Sequence, residues 1–128
     1  MTRIPTVMSI AGSDSGGGAG IQADLKTIAA NGAYGTTAVT AITAQNTIGV
    51  NDIKEMPVDL VESQIDAVIK DIGVDAAKTG MLSSVEMVLC VSRKIKEYSI
   101  QKFVLDPVMV STSGDSLLWE DAVDSIKK

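Results

Sequence analysis

At 128 residues the chain has the length of one domain, and its 45% hydrophobic and 21% charged residues exclude a disordered protein. A net charge of -5 argues against a nucleic-acid binder, because phosphate contacts need a basic surface. With no histidine and one cysteine, Cys90, the chain cannot build a Ser-His-Asp or Cys-His nucleophile, an intrachain disulfide or a histidine-ligated metal; any metal would be a hard ion on carboxylate and phosphate oxygens.

Apolar, β-branched runs alternate with segments of helical period, which predicts an α/β sheet. Residues 6–11 (TVMSIA) form the first expected strand, followed by a glycine-rich loop over 12–20 and a helix over 21–30 that stops at Asn31-Gly32. A second strand is expected over 36–43, ended by a turn at Gln45-Asn46, and period-two alternation over 50–56 suits an edge or flap strand. Pro57 opens a helix with Leu60, Val61, Ile65, Val68, Ile69 and Ile72 on one face. A short strand follows at 76–79. The spacing SSVE at 83–86 reads as a capping box with Ser83 at the cap and Glu86 three on, before a helix with Val85, Val88, Ser92 and Ile95 at helical intervals. Residues 103–105 are a continuous apolar strand ended by Asp106-Pro107, then come a loop over 109–116 and a helix from about Trp119. No repeat or linker interrupts this order, so residues 1–128 read as a single domain. The short apolar run near the start has an acid soon after it, unlike a signal peptide, and no run reaches membrane-spanning length. The expected location is the cytoplasm, away from membranes.

The loop GSDSGGGAG is the strongest local feature. Its glycines let backbone N–H groups converge on a ligand at a helix N-terminus, and four glycines in the five residues 16–20 exceed what a turn needs. It matches neither GxxxxGK[ST] nor GxGxxG. Three more loops follow strand ends, where open α/β sheets bind ligands. Gln45 offers a donor and an acceptor that match an aminopyrimidine edge, but the same position suits a solvated turn. Met81 in KTGML could pack over a flat ring, although an isolated methionine is more often core filler. Asp106 could hold Mg²⁺ or cap the following turn. Asp24 reads as dipole complement in the first helical turn, and Cys90 as buried and inert. Arg93, Lys94, Lys96 and Glu97 read as a solvated face.

Together these blocks carry a pattern. SIAGSDSGGGAGIQADLKTIAANGAYGTTAVTAITAQNT, then KTGML, then VLDPVMVSTSGDSLL, resembles the hydroxymethylpyrimidine/phosphomethylpyrimidine kinases of the ribokinase-like superfamily, from about Val7 onward. The resemblance implies the N-terminal half of a three-layer αβα fold with a mostly parallel central sheet. It implies phosphorylation of 4-amino-5-hydroxymethyl-2-methylpyrimidine and its monophosphate in thiamine biosynthesis, with ATP and Mg²⁺. Gln45 matches the pyrimidine-reading glutamine; Gly12, Ala19, Asp24, Met81 and Val108 match pocket-lining positions, and Asp106 an acid facing Mg²⁺ and the ATP phosphates. The family's GTGC-type anion-hole motif has no counterpart here, so no catalytic residue is assigned within these residues and the chain alone is expected to be inactive. A pyridoxal-type vitamin B6 kinase and a non-catalytic pyrimidine-binding module are the alternatives. Strand 103–105 lacks a next neighbour, which leads us to expect self-association into a homo-oligomer.

Overall fold

The computed structural model describes residues 3–106. In chain order they form β1 (Thr6–Ser13), α1 (Gly20–Ala30), β2 (Tyr34–Gln45), β3 (Val50–Glu55), α2 (Val58–Asp71), β4 (Ala76–Thr79), α3 (Val85–Glu97) and β5 (Phe103–Leu105). Val108, the loop expected over 109–116 and the helix expected from about Trp119 lie outside the described residues.

The strands make one sheet in the order β3-β2-β1-β4-β5. β1 pairs in parallel with β2 and β4, and β4 in parallel with β5; β3 alone runs antiparallel, against β2. Parallel neighbours need crossover helices, and these cover both faces. Met8, Ile10, Ala38 and Ala77 pack against Val61 and Ile65 of α2 and Met87, Val88 and Val91 of α3. On the other face α1 lies over β1 and β2. This is the expected mostly parallel sheet between two helical layers. β1, in the middle, is buried along most of its length, which its near-continuous apolar sequence allows.

Several local expectations change. β2 runs from Tyr34 to Gln45, two residues beyond the expected end on each side, because β1 pairs with its start through Thr6↔Tyr34 and β3 with its last residues through Gln45↔Val50. On α2, Val61 and Ile65 are buried, whereas Leu60 and, just past the helix end, Ile72 are 47% and 44% exposed. The cap of α3 is Ser84, not Ser83: its side chain accepts from Met87 N–H at 3.2 Å, so Glu86 stands one position too early for a capping box. The buried face of α3 is Met87, Val88, Cys90, Val91 and Lys94, with Ser92 exposed.

Lys94 is therefore no part of a solvated face. It is buried between α2 and α3, with Asp66 and Glu97 at 2.9 Å and Glu62 at 3.2 Å, and Tyr98 donates to Asp66 at 2.6 Å. Glu97 first, and Asp66 next, hold its ammonium well above the usual lysine range. The alkyl stem fills the helix interface while the charge is met by three carboxylates. Cys90 is buried as expected, and burial pushes its thiol up, away from the reactive thiolate.

At the amino ends of the strands, Asp75 ties β1 to the residues before β4. It accepts from Arg3 at 2.6 Å and from the Thr6 N–H at 2.8 Å. The Arg3 guanidinium, then the Thr6 amide, lower its carboxyl to about 2.

Candidate functional site

The glycine loop joins the carboxyl end of β1 to α1, and its organiser is a residue that the sequence reading passed over. Asp14 is buried at 6% exposure. Its Oδ1 accepts from Gly16 N–H at 2.7 Å, and its Oδ2 from Gly18 at 3.0 Å and Ala19 at 2.8 Å. The Asp14 N–H donates to Gln22 Oε1 at 2.8 Å, and Gln22 Nε2 donates to Ser13 Oγ at 2.7 Å. Gly20, at φ 60°, takes the left-handed conformation that lets the chain turn into α1. The amides expected to converge on a ligand thus converge on the protein's own carboxylate. The signal was available: an acid two residues before a glycine run has the spacing of an Asx turn.

Gln45 closes the other side. It is the last residue of β2, not a turn residue after it, and is half-buried. β1 has ended by this point, and Ser15 replaces it: Ser15 Oγ donates to Gln45 O and accepts from Gln45 N–H, both at 2.6 Å. The β2–β3 register shifts between Ala44 and Gln45, so the plain alternation of side chains ends here. Thr43 Oγ1 lies 2.8 Å from Ser13 O and 3.1 Å from Gln45 Oε1; its single proton serves one of them at a time. Gly16 packs so closely on this strand end that a Cβ there would lie 3.3 Å from Gln45 O and from Asn46 Cα. Asn46 itself is a turn former, its Oδ1 accepting from Ile48 N–H at 2.9 Å and Gly49 N–H at 3.2 Å.

Met81 follows β4 and lies against Gly12, whose absent Cβ would stand 2.5 Å from Met81 Cε. Thr40 Oγ1 donates to Met81 O at 2.8 Å and fixes that segment. Asp24 sits in the second turn of α1, not the first, and its charge is met by side chains: Oδ2 accepts from Ser9 Oγ at 2.6 Å and from Lys78 Nζ at 2.9 Å. Dipole complementarity is therefore not its role. Asp106 follows β5, exposed, with its N–H donating to Thr79 O at 3.1 Å. Among the described residues no group of three acids, histidines or cysteines could hold a metal by itself. A lone exposed carboxylate suits a Mg²⁺ that arrives on phosphate oxygens, not a dedicated protein cage.

The structure thus brings Gly12, Ala19, Gln45 and Met81 to the carboxyl edge of β1, β2 and β4, where open parallel sheets take small ligands. Loops gathered at the carboxyl ends of a mostly parallel sheet place the chain in the α/β class, in which such strand ends are the usual ligand side. Residues 14–128 match the family described as phosphomethylpyrimidine kinase. Over 124 residues the chain is 54% identical to the hydroxymethylpyrimidine/phosphomethylpyrimidine kinase of Mycobacterium tuberculosis, covering 96% of this chain and 45% of that protein. The phosphomethylpyrimidine kinase structure from Clostridium difficile superposes with a TM-score of 0.88 at 48% identity, over 97% of this chain and 53% of the other. The pyridoxal kinase of Staphylococcus aureus in complex with pyridoxal gives a TM-score of 0.87 at 35% identity, over 99% and 47%. The chain belongs to the phosphomethylpyrimidine kinase family. It spans about half the length of relatives such as the Mycobacterium tuberculosis kinase and a quarter or less of the longer ones.

Proposed function

We propose that this chain supplies the pyrimidine-binding side of a kinase that transfers the γ-phosphoryl group of MgATP to 4-amino-5-hydroxymethyl-2-methylpyrimidine, and then to its monophosphate, in thiamine biosynthesis. The observation that carries this reading is Gln45: a half-buried carboxamide at the carboxyl end of β2, held by both backbone atoms to the glycine loop. A carboxamide both donates and accepts, as the amino group and ring nitrogen of an aminopyrimidine require. Gly12, Ala19, Asp24 and Met81 would line the ring's surroundings, with Val108, and Asp106 would face the Mg²⁺ that accompanies the ATP phosphates. Bound MgATP would supply the phosphoryl group; the role of these residues is to orient the acceptor oxygen, the hydroxyl in the first transfer and a phosphate oxygen in the second.

The loop chemistry agrees. Asp14 takes up the Gly16, Gly18 and Ala19 amides, so these three do not serve a phosphate, which favours a neutral ring beside them. Similarity to a pyridoxal-bound kinase supports a second reading, a pyridoxal-type kinase; the higher identity to the pyrimidine enzymes, 48% against 35%, places it second.

The test is calorimetric titration of the pyrimidine into the full-length kinase and its Gln45→Leu variant. Losing the paired carboxamide should weaken binding by ~1–3 kcal/mol. Unchanged affinity would remove Gln45 from the site.

A further inference from the structure

The way Asp14 and Ser15 meet Gln45 carries an inference that deepens the proposed pyrimidine reading and rests on it. The geometry points to Asp14 as a positioning residue for substrate recognition: it acts as the loop's internal anion, and through Ser15 it sets the backbone of Gln45. Three loop amides converge on the buried Asp14 carboxylate, which fixes residues 14–19 in one shape. Ser15 lies inside that shape, and its hydroxyl takes over from β1 beyond the end of the strand by pairing with both backbone atoms of Gln45. Gln45 needs that support because its register against β3 is already broken at Ala44.

The chain of dependence is short and physical. Without the carboxylate, the Gly16, Gly18 and Ala19 N–H groups repel one another at the start of α1, and residues 16–20 have little intrinsic stiffness. Ser15 then loses its fixed place, and the Gln45 carboxamide loses its fixed base. The same carboxylate occupies the Gly16, Gly18 and Ala19 amides, so these three are not available to an anionic ligand.

The experiment uses the full-length kinase carrying Asp14→Ala, Ser15→Ala or Gln45→Leu, with and without sodium formate, and sodium chloride at matched ionic strength as control. Two quantities are read: the exchange rate of the Gln45 amide hydrogen and the KM for the pyrimidine. Asp14→Ala should speed exchange at Gln45 about tenfold or more and raise KM more than it lowers kcat. Formate, a carboxylate small enough to refill the vacated position, should reverse both effects, and chloride should not. Ser15→Ala should speed exchange at Gln45 without responding to formate. A Gln45 amide equally protected in Asp14→Ala and the wild type overturns the proposal, as does a KM increase that formate leaves untouched. If Asp14→Ala does not fold, unchanged Gln45 exchange in Ser15→Ala is the overturning result. The pyrimidine reading fails separately: Gln45→Leu would then leave pyrimidine binding unchanged, whatever the exchange data show.

Discussion

Asp75 joins the start of β1 to the start of β4, and its ionisation links pH to folding. Its carboxyl is lowered from 3.8 to about 2, chiefly by Arg3 and then by the Thr6 amide. A depressed acid contributes stability that is fully present above its unfolded value and lost as pH falls through the folded one. Asp75→Asn should therefore flatten the fall in stability between about pH 4 and pH 2, and leave the slope near neutrality unchanged; thermal melts across that range check it. Single residues were the least legible feature in the sequence. Gln45, Gly12 and Met81 stand at the carboxyl edge of the sheet, as their motifs suggested. Asp14 and Ser15 are hard to read in the sequence because glycines dominate the motif, while what shapes the loop is the carboxylate that binds their amides. Lys94 looked solvated because its neighbours Arg93 and Lys96 are charged; its burial depends on Glu62 and Asp66, which reach it from another helix.

Helices and strands were read more easily, since hydrophobic period and turn residues are local signals. The order from β1 to β5 follows the predicted order throughout, and the ends moved where tertiary pairing intervened, as for β2 against β3. The start of α3 shows how a near match misleads. Two serines precede Val85, and only Ser84 has its hydroxyl on the Met87 amide, while also donating to Glu55 at 2.9 Å. Ser84→Ala should lower stability by about 1 kcal/mol, and Ser83→Ala by a few tenths at most, in urea titrations of the same protein. Equal losses would contradict the assignment of the cap.

Sheet order is a long-range property, and composition and periodicity do not contain it; the family resemblance supplied the mostly parallel arrangement in advance. Of β5, Val104 is 65% and Leu105 40% exposed. Among the described residues β5 is an edge strand, and apolar surface there favours pairing with another chain, so the 128-residue protein should self-associate, as read by size-exclusion chromatography with light scattering. A monodisperse monomer at high concentration would show that these residues close their own core. The most direct measurement follows phosphoryl transfer by mass spectrometry, with the pyrimidine and pyridoxal competing for MgATP. The full-length kinase should convert the hydroxymethylpyrimidine to its mono- and then its diphosphate ahead of pyridoxal, and the 128-residue chain by itself should give no turnover. Preferential phosphorylation of pyridoxal, or no phosphorylated pyrimidine from the full-length protein, would contradict the proposed function.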